Sequence, residues 1–180
     1  LNYPEIKDVG EEGHTSTGEV ILRSGIVHRL DRETSGAMLV AKTQDSFHNL
    51  KNQFKNHEIK KVYQAFVCGE VKNDEGVIDR PISRSSRDFR MWTAQRGGRG
   101  EEREALTEYK VLNRKDGYSF VEIYPKTGRT HQIRSHVVAI GHPVVCDALY
   151  AGKRFVCPGD LHRQFLHASQ LIFTNFRGIR

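Results

Sequence analysis

Between Ile59 and Val71 the residues alternate, with Tyr63, Ala65, Val67 and Gly69 on one side and Val62, Phe66 and Cys68 on the other. An extended chain presents successive side chains to opposite faces, so this period of two predicts one long strand. Further strands are expected at Ala37–Ala41, Gly76–Ile82, Met91–Ala94, Ala105–Leu112, Tyr118–Tyr124 and Phe165–Phe173. Many of these follow one another too closely for a crossover helix, which favours antiparallel pairing. A helix is expected from Gln44 to about Asn56, with Phe47, Leu50 and Phe54 on one face. A second would be capped by Thr130, would carry Ile133, Val137 and Ile140 on one face, and would end at Gly141. The sum is an α+β fold, a mixed and mainly antiparallel sheet flanked by helices. The first 24 residues lack a clear period and read as a loop or mobile arm, leaving residues 25–180 as one domain.

A chain of 180 residues suits one such domain with a sizeable core. With 37% hydrophobic and 28% charged residues it reads as a soluble globular protein, and a monomer is expected. Its longest apolar runs, such as Ala37–Ala41, are too short to cross a bilayer, and no signal-peptide pattern opens the chain. Leu1 in first place suggests a start further upstream. The cysteines, Cys68, Cys146 and Cys157, are odd in number and widely spaced. They indicate neither a disulfide framework nor a thiolate zinc site, and a reducing, cytoplasmic compartment fits.

The net charge is +6, although residues 1–25 hold five acids against two bases, so the remainder is more basic still. A basic body favours polyanions such as nucleic acid over small acidic metabolites. The segment Arg80–Arg103 carries seven arginines and includes Arg96-Gly97-Gly98-Arg99-Gly100, read as a flexible tip between two strands. Two readings stand side by side: a solvated hairpin loop, or a clamp whose Arg96 and Arg99 meet phosphates.

Chemistry concentrates in His28-Arg29-Leu30-Asp31-Arg32-Glu33-Thr34-Ser35-Gly36. Asp31 lies between two arginines just before a Ser-Gly turn, a position that suits a capping residue or an ionised carboxylate in a cleft. An ionised, partly dehydrated carboxylate is what attack at a sugar carbon needs. In Lys126-Thr127-Gly128-Arg129-Thr130-His131-Gln132-Ile133-Arg134, Arg134 borders the apolar helix face and either seeks a carboxylate, with Asp31 a candidate, or snorkels to solvent. Tyr63 is either sheet core or a ring able to stack on a base beside Lys60 and Lys61.

Taken together, these segments resemble the RluA-type RNA pseudouridine synthases. His28–Gly36 matches their HRLDxxTSG signature, and Lys61–Ala65 is similar to their K-x-Y-x-A strand. Gly128–Arg134, continuing through Gly141-His142-Pro143 to Asp147 and Tyr150, resembles their GRTHQIR…GHP…D…Y stretch. Leu166-His167-Ala168 resembles their closing strand. The upstream Lys-Pro-x-Gly motif and the S4-type RNA-binding domain common in that family are not seen here.

The resemblance implies isomerisation of uridine to pseudouridine in ribosomal or transfer RNA, with the base flipped out and without cofactor or metal. Asp31 would be the catalytic carboxylate, acting at C1′ or taking the C2′ proton. Arg134 would pair with it, and Tyr63 would stack on the uracil and assist at C5. Arg29 would fill the space the base leaves, and Arg32, Arg129, His131 and Leu166 would join it in binding substrate. A rival class, a metal-dependent hydrolase, would draw on His131, His136, His142, His162 and His167, whose spacing matches no known ligand pattern.

Overall fold

The computed structural model describes residues 3–14, 17–18, 20–152, 157–159 and 161–175. The chain divides into two compact units, one of Leu1–Leu30, Ala37–Lys60 and Leu171–Arg180, the other of Asp31–Gly36 and Lys61–Gln170.

In the first unit, β1 (Glu12–His14) and β2 (Val20–Leu22) pair antiparallel. The opening segment therefore holds a small hairpin where the sequence suggests a loop. Helix α1 (Gln44–Lys55) begins at Thr43, whose hydroxyl accepts from the Ser46 amide and so satisfies one of the free first-turn donors. Its Phe47 and Leu50 pack with Ile6, Val9 and Ala41, and Phe54 stacks on His28 at 4.6 Å. Ala37–Ala41 does not form the expected strand. Only Val40 pairs, in an isolated bridge to Ile26, while Met38 and Val40 stay exposed. The run is apolar because Leu39 and Ala41 feed this small core.

The second unit is built on a six-stranded sheet. Its elements are β3 (Ser35–Gly36), β4 (Lys60–Cys68), β5 (Glu75–Asp79), β9 (Leu106–Lys115), β10 (Tyr118–Pro125) and β11 (Leu166–Ile172). They lie in the order β3-β11-β4-β10-β9-β5. The β4–β10–β9–β5 run is antiparallel, whereas β3 and β11 are parallel, so the sheet is mixed as expected. Tyr63, Ala65 and Val67 share one core cluster with Val121, Ile123, Ile133, Val137 and Leu166, which is the face the alternation in β4 predicts.

A separate sheet of three strands, β7-β6-β8, comprises β6 (Ile82–Ser85), β7 (Trp92–Thr93) and β8 (Gly98–Arg103). The expected strand Gly76–Ile82 is thus split between two sheets, with Pro81 in the break; proline donates no ladder hydrogen bond. Gly98 and Arg99 are not a loose tip but part of β8, where they face Ser85 and Arg84 of β6.

Helix α2 (Gln132–Ala139) starts at His131, in the left-handed region at φ 53°, and not at Thr130. Among the described residues no side chain caps the helix; the Gln132 side chain instead ties the turn before it. Its Oε1 accepts from the Arg129 amide and the Thr127 hydroxyl, and its Nε2 donates to Leu106 O and Thr107 Oγ1. This bonds the Thr127–Gln132 turn to the start of β9.

Candidate active site

Asp31 is mounted on a tight turn. The Thr34 amide donates to Asp31 O at 3.0 Å, and the chain then enters β3. Gly36 has φ +126° and lies so close to Ala168 of β11 that any Cβ would collide with that backbone. A glycine is therefore required where the turn meets the sheet. Gln164 Nε2 donates to Thr34 Oγ1 at 2.7 Å, and Ser35 Oγ lies 2.8 Å from His167 Nδ1. The Thr-Ser-Gly sequence after Asp31 thus fastens its turn to the chain leading into β11.

The Asp31 side chain is 18% exposed, and its Oδ2 accepts from Arg134 Nη1 at 3.1 Å. His131 Nε2 lies 4.0 Å from the same oxygen. Oδ1 of Asp31 accepts no hydrogen bond from the described residues. Arg134 thus meets Asp31, as the resemblance implies, but through a single N–H. A fork goes to Asp147: Nε donates to Oδ2 at 2.6 Å and Nη2 to Oδ1 at 2.8 Å.

Burial alone pushes the Arg134 guanidinium down, but Asp147 and then Asp31 more than reverse that, so its pKa stands above the ordinary value. Tyr150 backs the guanidinium with its ring, 4.8 Å from centroid to Cζ. The Tyr150 hydroxyl meets the Trp92 amide and carbonyl and lies 3.0 Å from His131 Nδ1. Asp147 is itself held by backbone. Pro143–Val145 runs beside β4 through Cys68 N to Pro143 O and Val145 N to Phe66 O, each at 2.8 Å. The Leu149 and Tyr150 amides then donate to Asp147 Oδ1 at 3.1 Å.

Tyr63 lies on β4, partly buried, and its hydroxyl bonds to no described residue. Burial, and then the Asp31 charge, push its phenol up to about 12. On the same strand Lys61 donates to Thr127 O at 2.9 Å, and burial pushes its ammonium down to about 8. Leu166 is only 3% exposed within the core cluster, so little of it is open to a ligand. Arg32 and Arg129 are exposed, and the Arg129 Nε donates to Glu104 O. Arg29 is exposed and belongs to the first unit.

In the arginine-rich segment, Arg80 bonds Ala139 O, Arg84 lies over Trp92 at 4.5 Å, Arg90 pairs with Asp88 and Arg103 with Glu101. The exposed side chains of Arg87, Arg96 and Arg99 bond to no described residue.

The histidines do not converge. His136 is buried against Thr107 and Arg80 O, His142 lies against Cys68 O, and His167 against Ser35. Among the described residues no three metal-ligating side chains come together in a set able to hold an ion. Contrary to expectation from the odd cysteine count, Cys146 and Cys157 are joined in a disulfide with Cα atoms 4.8 Å apart, and Cys68 is free and buried. No helix among the described residues is long and apolar enough to cross a membrane.

Sequence reasoning missed Asp147 as a partner of Arg134. Its only signal was membership of the GHP…D…Y stretch, which carries no local pattern of its own.

The sequence profile of the family described as RNA pseudouridylate synthase matches residues 18–139. A relative from Aquifex aeolicus, named as an uncharacterized RNA pseudouridine synthase, is 46% identical over 142 residues, covering 77% of this chain and 43% of its own. Ribosomal large subunit pseudouridine synthase D of Neisseria meningitidis is 39% identical over 162 residues, covering 85% and 42%. The solved structure of Human RNA Pseudouridylate Synthase Domain Containing 1 superposes with a TM-score of 0.77 at 31% identity, covering 84% of this chain and 64% of that one. The chain thus spans less than half the length of these two curated relatives. With a profile match over more than half its length and close relatives on both sequence and structure, the chain belongs to the RNA pseudouridylate synthase family.

Proposed function

We propose that this chain isomerises uridine to pseudouridine within structured RNA, ribosomal RNA or transfer RNA, with Asp31 as the catalytic carboxylate. The observation that carries the reading is the Asp31–Arg134 pair: a partly exposed carboxylate with one oxygen held by a buried guanidinium and the other open. Family membership supplies the reaction class, and relatives named for the ribosomal large subunit make ribosomal RNA the first substrate to try.

The reaction breaks N1–C1′, turns the base, forms C5–C1′ and moves the C5 proton, so nothing enters or leaves. Asp31, Asp147 and Arg134 together carry two formal negative charges against one positive. Such a balance favours a sugar centre that becomes electron-poor, because charge is stabilised where the site already holds its complement. Asp31 acts through its open oxygen, either by adding to C1′ or by taking the C2′ proton.

Tyr63, with its phenol near 12, is neutral at pH 7. It stacks on the flipped uracil and accepts the C5 proton only in concert with passing its own on. Arg29 fills the space left by the base, offsetting part of an unstacking cost of a few kcal/mol. Arg32, Arg129 and His131 contact the RNA near the reacting nucleotide, and Arg96 and Arg99 meet phosphates further out. Leu166 supports the site from the core. Residues 25–180 form the catalytic domain, a cytoplasmic monomer that uses no cofactor.

The test is a pseudouridine map of ribosomal and transfer RNA from cells with and without the protein. Loss of one or a few defined pseudouridines is expected. Identical maps would overturn the reading.

A further inference from the structure

Arg134 has more hydrogen-bond capacity than Asp31 uses, and the surplus is directed elsewhere. Of its bonded nitrogens, Nε and Nη2 go to Asp147 and Nη1 alone to Asp31. Asp147 is 1% exposed, against 18% for the Asp31 side chain, and the Leu149 and Tyr150 amides fix its Oδ1. A guanidinium is planar, so two parallel bonds to one carboxylate fix its plane and its remaining edge. The Tyr150 ring beneath it, with a hydroxyl anchored at Trp92, closes one side.

We propose that Asp147 is a positioning residue that fixes Arg134 in place, so that Arg134 offers Asp31 one aimed N–H and leaves Asp31 Oδ1 open to react. This rests on the reading of Asp31 as the catalytic carboxylate. A fork to Asp31 itself would occupy both of its oxygens, and both candidate routes need a free lone pair on that residue. Arg134 therefore acts as a fixed single donor whose direction is set from behind. Asp147 touches neither substrate nor reacting atoms; its influence passes through Arg134.

Side-chain NMR of Arg134 tests the anchoring without reference to activity. In the wild-type protein the Nε proton should be protected from exchange, and rotation of the guanidinium slow enough to give separate Nη1 and Nη2 resonances. Asp31→Asn should leave both signs intact, because the fork lies on Asp147. Collapse of the Nη signals in Asp31→Asn would show that Asp31 is the anchor and overturn the proposal.

Single-turnover kinetics test the consequence. Asp147→Asn should lower the chemical rate by about 10²-fold, the scale of a misplaced catalytic group, with RNA affinity unchanged. In an Arg134→Lys background, where no fork exists, the same change should cost less than threefold, since residues acting through one another are not additive. A folded Asp147→Asn that turns over at the wild-type rate, or an equal loss in both backgrounds, contradicts it. If Asp147→Asn does not fold, the NMR comparison of wild type and Asp31→Asn decides alone. If the wild-type protein forms no pseudouridine on any RNA, the functional reading fails, while the NMR result still decides whether Asp147 anchors Arg134.

Discussion

Arg134 and Arg99 carry the same guanidinium into opposite settings within one unit. Arg134 is 7% exposed on α2, with three nitrogens on two carboxylates and an aromatic ring at its face. Arg99 stands exposed on β8, its side chain bonded to no described residue. The first is a geometric part, whose value lies in where its N–H points. The second contributes to a field, and its value depends on charge and on salt. His136, two residues along the same helix, sharpens the lesson. It is equally buried, but its partners are the Thr107 hydroxyl and a carbonyl, so burial pushes its imidazole below the usual range and keeps it neutral. The buried guanidinium is hydrogen-bonded to two carboxylates, whereas the buried imidazole is hydrogen-bonded to a hydroxyl and a carbonyl.

The largest effect is expected at Arg134. Arg134→Met leaves Asp147 buried without its counter-charge, and removing one partner of a buried pair costs roughly 3–5 kcal/mol. Arg99→Met should stay within about 0.5 kcal/mol, as for other exposed positions. Chemical denaturation of the two variants checks the contrast, and equal stabilities would show that Arg134 is not held as described.

A smaller effect is expected at Thr107. Thr107→Val leaves His136 Nδ1 buried without its partner, at a cost of about 1–3 kcal/mol by the same measurement. His136 also sets an acid limb. Its folded-state pKa lies below the unfolded value, so the unfolded chain binds the extra proton first. The stability it contributes is therefore complete above about pH 6.5 and declines as pH falls through the folded-state value. His136→Gln should flatten that limb in a stability-against-pH series; an unchanged limb would assign it to other groups.

The smallest effect on the fold, though not on binding, belongs to the exposed arginines. Replacing Arg96 and Arg99 with alanine should leave thermal unfolding unchanged. It should make the log–log salt dependence of RNA affinity shallower by roughly one unit per lost phosphate contact. An unaltered slope means that these side chains are merely solvated.

What could be read from the sequence follows from how local each signal is. Helix α1 was legible because Phe47, Leu50 and Phe54 state one face within a short window, although its Thr43 cap went unread. Strand β4 was legible through alternation alone. The run Ala37–Ala41 misled because apolar residues feeding a small core look like a strand until pairing partners are sought. Strand β8 was hidden for the converse reason: Gly98–Arg103 is an exposed strand of glycine, glutamate and arginine, whose pairing with β6 no side-chain pattern announces.

At the site, the sequence brought Asp31 and Arg134 together by chemistry, a half-buried cation needing an anion. It could not show that the cation has two, because Asp147 reaches Arg134 through the irregular Pro143–Val145 path beside β4. The Cys146–Cys157 disulfide was hidden likewise, since an odd number of widely spaced cysteines states no pairing.

The catalytic role proposed for Asp31 can be tested by single-turnover pseudouridine formation on an RNA the wild-type protein modifies, with Asp31→Asn at equal concentration. The substitution keeps the shape and can still accept from Arg134 Nη1, but it removes the charge. The wild type should complete the turnover, while Asp31→Asn should bind the RNA with similar affinity and form no detectable product. Appreciable pseudouridine from Asp31→Asn would contradict that role.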